Sequence, residues 1–235
     1  MRLDEPIRKT ANEELADALA SFYAKPLEYV MFNFPWDTEK SIQVVPLPEK
    51  YRERFNCQWG PDQWACEFLD DLGGEIRNRG FDGKKAVDPI QFAVGSGHGI
   101  GKSVIVAWLT KFILDTRPFS KGTMTANTAD QLKTKTWAEV GKWHKLTLKH
   151  NWFHYNASRG AMNLSHKRYP EQWRCDAQTC REENSEAFAG QHAANSTPFY
   201  IFDEASAIPH KIFDVREGGT TDGEPMVFDF GNPTR

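Results

Sequence analysis

Val94-Gly95-Ser96-Gly97-His98-Gly99-Ile100-Gly101-Lys102-Ser103 is the stretch that decides how this chain is read. A short apolar run, Pro89 to Val94, leads into it and predicts a buried strand. Val104 to Leu114 follows, apolar-rich with Trp108 and Lys111, and predicts a helix. Strand, glycine-rich loop, Gly-Lys-Ser and helix is the order that cradles phosphate. Gly97, Gly99 and Gly101 carry no side chains, so the backbone N–H groups of the loop, His98 and Ile100 included, can turn toward phosphate oxygens. Lys102 is expected to reach the β- and γ-phosphates and Ser103 to offer its hydroxyl to Mg²⁺, with the following helix dipole adding positive potential. One position departs from the pattern: counting back from Gly101 places Ser96, not a glycine, at the first position. A serine works there if its φ is negative. The alternative is a glycine-rich turn before a buried helix, with Lys102 solvated.

The second signal is Pro198-Phe199-Tyr200-Ile201-Phe202-Asp203-Glu204-Ala205-Ser206. An apolar strand ending in adjacent carboxylates is costly to bury as plain core. Beside a phosphate loop it supplies what hydrolysis needs: Asp203 to hold Mg²⁺ opposite Ser103, and Glu204 to orient and deprotonate the attacking water. A third run, Met226-Val227-Phe228-Asp229-Phe230-Gly231-Asn232-Pro233, predicts another strand with a polar tip. Asn232 there either senses the γ-phosphate or sits in a simple turn punctuated by Gly231 and Pro233.

Between these signals, Asn12–Tyr23 predicts a helix ended by Pro26, and Leu27–Trp36 an aromatic segment packing an N-terminal arm (1–57) onto a main body (58–235). Asp37–Arg54 reads as an extended surface connection. Gly60-Pro61-Asp62-Gln63-Trp64 opens a helix to about Leu72, or to Arg79 if Gly73-Gly74 does not break it. Gly122–Ala126 predicts a buried strand, and Thr128-x-x-Gln131 has the spacing of a helix start, running to about Lys149. Two or three short strands are expected over 151–179, around Gly160 and Pro170, and a short helix and loop over 181–194.

The 235 residues are 40% hydrophobic and 26% charged, enough for one large domain or a domain with an appendage. No apolar run reaches membrane-span length and the N-terminus lacks a signal-peptide pattern, which points to an intracellular protein. The spacings of Cys57, Cys66, Cys175 and Cys180 favour free thiols over a structural zinc. The net charge of −3 hides an asymmetry, because residues 117–181 carry 12 Lys/Arg against 4 Asp/Glu. That excess is either a solvated helical face or a patch aimed at a polyanion.

Taken together, Gly97 to Ser103, Phe202-Asp203-Glu204-Ala205-Ser206 and Gly231-Asn232-Pro233 resemble the ATPase domain of phage large terminase subunits, the DNA-packaging motors. Phe34-Pro35-Trp36 and Gly60 to Trp64 resemble that family's entry segments. The resemblance implies a three-layer αβα P-loop NTPase of the RecA-like ASCE class. Its sheet would be mostly parallel, with a strand added between the phosphate-loop and Asp-Glu strands, a place that Gly122–Ala126 fits. It implies a Mg²⁺-dependent ATPase in the infected host's cytoplasm. Its partners would be double-stranded DNA, the portal ring and procapsid, a small terminase subunit, and further copies in a ring. Gln63 would read adenine, or else be only a polar residue at a helix start, and Asn232 would couple hydrolysis to movement. Arg159 or Arg181 would complete a neighbouring subunit's site. Large terminases also carry a C-terminal nuclease domain, for which this sequence leaves no residues, so ATP hydrolysis without DNA cleavage is expected. The competing readings are a nucleotide-gated binding module and a helicase-type translocase.

Overall fold

The computed structural model describes residues 9–97, 99–158, 160–180, 185–186, 188–189 and 196–232. Seven strands form one sheet in the order β1-β7-β6-β2-β5-β4-β3. β1 (Ile90–Gly95), β7 (Met226–Gly231), β6 (Pro198–Asp203), β2 (Lys121–Thr125) and β5 (Arg174–Ala177) run parallel. β4 (Asn163–His166) and β3 (Phe153–Asn156) close the far edge as antiparallel strands. The two or three short strands expected over 151–179 are therefore present, as β3, β4 and β5. β2 lies between the phosphate-loop and Asp-Glu strands along the chain, while β7 holds the place between them in the sheet.

Side-chain alternation along β6 shows the layering. Phe199 and Ile201 enter the large core shared with α4 (Gln63–Asn78), α5 (Lys102–Thr116) and α7 (Trp137–Leu146). Tyr200 and Phe202 face the other way, into a smaller core with Ile212 of α8 (His210–Gly218). Every residue of β6 is buried, as a strand covered by helices on both faces requires. The architecture is a three-layer αβα sandwich with a mostly parallel sheet.

The segment before residue 58 is more helical than its sequence suggested. Pro26 does not merely end α1 (Ala11–Ala20); it opens α2 (Pro26–Asn33), where its missing N–H costs nothing. The expected extended connection contains a 3₁₀ turn, Lys40–Ile42, and α3 (Glu49–Phe55), anchored by buried Ile42, Leu47 and Tyr51. α4 runs through Gly73-Gly74, because a side chain at 73 would press within 3.1 Å of the Ala24 carbonyl and of Pro26. Glycine at 73 lets α2 approach, and the packing outweighs its helix penalty.

The helix expected from Thr128 is interrupted by its own geometry. Thr128 caps α6 (Ala129–Gln131), a π-helical turn follows at Leu132–Thr136, and α7 ends at Leu146. Lys149 lies beyond that end, buried, with its ammonium on the Asn12 amide and over the Trp152 ring. Burial holds its pKa below the ordinary lysine value. The exposed lysines of this element are thus Lys133, Lys135, Lys142 and Lys145. The cysteines are free thiols, all but Cys57 buried. The helix and loop expected over 181–194 lie mostly outside the described residues.

Candidate active site

Strand register assembles the site. Gly95 of β1 pairs with Gly231 of β7, and Phe230 of β7 pairs with Asp203 of β6, so the three strand tips end in one row. Ser96 continues the pairing one residue further, its N–H donating to the Gly231 carbonyl at 3.1 Å. The chain then turns through Gly99 and Gly101, at φ of 83° and 82°, into α5. Those are left-handed conformations that favour glycine. The sequence expected a phosphate cradle between a strand and a helix, and that local order is present.

Lys102, the first residue of α5, is only 8% exposed. Its ammonium donates to the Ser96 carbonyl at 2.9 Å, the Gly97 carbonyl at 3.0 Å and the Asn232 amide oxygen at 2.5 Å. Longer contacts reach Ser96 Oγ and the Gly231 carbonyl. All of these acceptors are neutral. Among the described residues, no carboxylate lies within ion-pair distance of this cation. A buried ammonium held by neutral acceptors has no carboxylate partner to give up if an anion enters.

Asn232 joins the two halves of the site. Its oxygen accepts from Lys102, while its Nδ2 donates to Glu204 Oε2 at 2.9 Å. Glu204 sits one residue past β6, at φ 56° and ψ 40°. A non-glycine residue in that region stores about 1–3 kcal/mol of backbone strain, a cost found where a side chain must be aimed. Asp203, 5% exposed, accepts the Glu204 N–H on Oδ1 at 3.1 Å. Its Oδ2 accepts from the hydroxyls of Ser103 at 3.4 Å and Thr136 at 2.6 Å. A buried carboxylate flanked by hydroxyl oxygens is a hard donor set. It suits Mg²⁺ rather than a metal that prefers sulfur or imidazole.

A cavity of about 240 Å³ opens on the other side of the loop. Gly99 to Gly101 form one wall, and Trp36, Trp64, Trp108 and Trp143 are among the other lining residues. Trp64 Nε1 donates to the Ile100 carbonyl at 2.9 Å and so braces the loop against α4. Gln63 does not line this cavity, and its amide donates to Glu67 on its own helix at 2.9 Å. Asp62 lines it and caps α4 by accepting the Ala65 N–H, and burial raises its pKa. The sequence placed Trp64 only at the start of a helix. The available signal was its indole N–H, which needs an acceptor once buried.

The structure therefore brings together Gly97, Gly99, Ile100, Gly101, Lys102, Ser103, Asp203, Glu204 and Asn232. His98, Arg159 and Arg181 lie outside the described residues. Thr136, which the sequence did not single out, completes the contacts of Asp203.

Comparison with known proteins follows the same lines. No protein-family model matches the chain. The probable large terminase subunit of Enterobacteria phage P7 is 26% identical over 144 residues, which is 61% of this chain and 29% of that protein. The match thus spans under a third of that relative's length. The crystal structure of the large terminase of bacteriophage HK97 superposes with a TM-score of 0.51 at 11% identity, over 89% of this chain and 37% of that one. The large terminase of a thermophilic bacteriophage, solved in complex with ADP, gives 0.45 at 16% identity, over 62% and 33%. The chain is thus similar in sequence to one probable phage large terminase subunit over part of its length, and its fold resembles that of the HK97 large terminase.

Proposed function

We propose that this chain is the ATP-hydrolysing motor domain of a phage large terminase, driving double-stranded DNA into a procapsid. One observation carries the reading: Lys102 and Glu204, far apart in sequence, are held on the two ends of a single amide, Asn232. An amide that touches both the phosphate-binding cation and the carboxylate base must rearrange when a triphosphate takes the lysine.

The chemistry follows from the residues. ATP would lay its phosphates along Gly97–Gly101, where the N–H groups and the start of α5 favour negative charge. Lys102 would exchange the Ser96 and Gly97 carbonyls for β- and γ-phosphate oxygens, a charge-assisted contact stronger than those it leaves. Ser103 and Asp203 would hold Mg²⁺, which supplies positive charge to the phosphate oxygens. Glu204, freed from Asn232, would accept a proton from the water attacking the γ-phosphorus as the bond to the β–γ bridging oxygen breaks. The products are ADP and phosphate. The nucleoside would occupy the tryptophan-lined cavity at the start of α4, and Gln63 would have to turn from Glu67 to reach the adenine. An arginine from a neighbouring copy, Arg159 or Arg181, would complete the charge, which requires a ring of subunits on the portal with the small subunit delivering DNA. The exposed lysines 133, 135, 142 and 145 are suited to phosphate backbone.

Steady-state hydrolysis with and without duplex DNA tests the proposal. DNA should raise ATP turnover, and its binding should weaken steeply as salt increases. Glu204→Gln should lower turnover by roughly 10²–10⁴-fold while leaving ATP binding intact. Nucleotide binding without any DNA response would favour a switch module instead, since the Asn232 bridge could serve that role too. Absence of ATP binding would remove both readings.

A further inference from the structure

The strongest hydrogen bond to the Asp203 carboxylate comes from outside the two sequence motifs. Thr136 Oγ1 donates to Asp203 Oδ2 at 2.6 Å, closer than Ser103 at 3.4 Å. Thr136 is 1% exposed and Asp203 5%, so the contact lies in a largely desolvated setting.

The contact departs from what helical threonines do elsewhere in this chain. Thr110, Thr116 and Thr134 each turn the hydroxyl back onto the carbonyl four residues earlier, at 2.6–2.8 Å. That local bond is the usual outlet for a threonine within a helix. Thr136 gives its proton instead to a strand tip 67 positions away. The local geometry explains why it can. Thr136 closes the π turn Leu132–Thr136, in which the Trp137 N–H reaches back to the Leu132 carbonyl. A π turn inserts one residue, so all that follows is rotated by about 100° relative to what precedes. In regular α geometry Leu132 and Trp137, both fully buried, would lie about 140° apart, while Thr136 must also face Asp203. The wider turn satisfies all three requirements, and such turns recur at functional sites.

We infer that Thr136 is a positioning residue for the metal-binding carboxylate. It holds Asp203 Oδ2 so that the carboxylate and the Ser103 hydroxyl face one cation. This rests on the proposed Mg²⁺–nucleotide site and adds to it the residue that orients the acidic ligand. With Oδ1 taken by the Glu204 N–H and Oδ2 by Thr136, both carboxylate oxygens are fixed before any cation arrives. Partners of this kind govern metal affinity more than nucleotide affinity.

The test separates these two affinities. Mn²⁺ binding to the protein–ADP complex is measured by electron paramagnetic resonance, and fluorescent ADP binding is measured in EDTA. Thr136→Val, nearly the same shape without the donor, should weaken Mn²⁺ binding roughly ten- to a hundredfold. Metal-free ADP affinity should stay at the parent value. Thr136→Ser should recover most of the loss, which a purely packing role would not allow. Equal Mn²⁺ affinity in Thr136→Val and the parent would overturn the inference, as would equal weakening of metal-free ADP binding. If Thr136→Val does not fold, Thr136→Ser decides: Mn²⁺ affinity close to the parent supports the assignment, and a loss like that expected for valine overturns it. A parent protein that binds neither ADP nor Mn²⁺–ADP would refute the nucleotide site itself, a separate failure.

Discussion

Helix α5 carries two buried lysines that the fold treats in opposite ways. Lys111 is fully buried and pairs with Asp115, one turn along, at 2.8 Å. Asp115 also accepts from Tyr29 at 2.6 Å, and Asn33 of α2 donates to Tyr29 at 2.6 Å and accepts the Leu148 N–H. The Phe153 ring covers the ammonium. Charge, hydrogen bonds and packing are all closed within the chain. Lys102, nine residues earlier, meets only carbonyls, a hydroxyl and an amide among the described residues. The difference teaches where function resides. A buried cation with its own carboxylate is structural, and one left with neutral acceptors fits the proposed role of meeting an anion from outside.

Substituting the two lysines should break the comparison most sharply. Under the proposed function, Lys102→Ala should lower ATP turnover by about a thousandfold or more, since it removes the charge proposed to steady the transferring phosphoryl group. Folding stability, read from urea melts, should be unchanged or higher, because a cation held by dipoles alone stabilises little. Lys111→Met should do the reverse. It strands Asp115 and should cost about 3–5 kcal/mol in the same melts, whereas Lys111→Met/Asp115→Leu should recover most of that loss. A Lys111→Met protein as stable as the parent would show that the pair is not closed in the way described.

A smaller effect should appear on the acid side. His144 of α7 is 5% exposed, and burial, reinforced by Lys111, lowers its pKa to about 3. The unfolded chain takes up this proton near the ordinary pKa of about 6.5 and the folded chain does not. Stability is therefore complete above about 6.5 and lost as pH falls toward 3, since protons favour the unfolded state. Between pH 7.5 and 5.5 the expected loss from this group is about 1.4 kcal/mol. His144→Leu should flatten that limb in urea melts at the two pH values. An unchanged slope would assign the acid sensitivity elsewhere.

The same contrast accounts for what was legible in the sequence. Gly99, Gly101 and Lys102 are readable because the loop's chemistry is local and contiguous. The Asp203–Glu204 pair is readable because two acids that end an apolar strand need a cation or water beside them. Their meeting point follows from a parallel sheet, which alternating strands and helices already imply. Thr136 was not readable, because its position depends on one inserted residue in a helix whose sequence looks regular. Trp64 rather than Gln63 reaches the loop for a similar reason: the first turn of α4 decides which of two adjacent side chains points at Ile100. α3 was missed because its polar residues bury only Tyr51, too little for a periodic signal.

Lys102, Asp203 and Glu204 are proposed to serve one magnesium–triphosphate. A crystal structure with Mg²⁺ and a non-hydrolysable ATP analogue tests it most directly. The expected result places the γ-phosphate on the Lys102 ammonium, the cation between Ser103 and Asp203, and Glu204 released from Asn232. An analogue bound elsewhere, with Lys102 still on Ser96, Gly97 and Asn232, would contradict it.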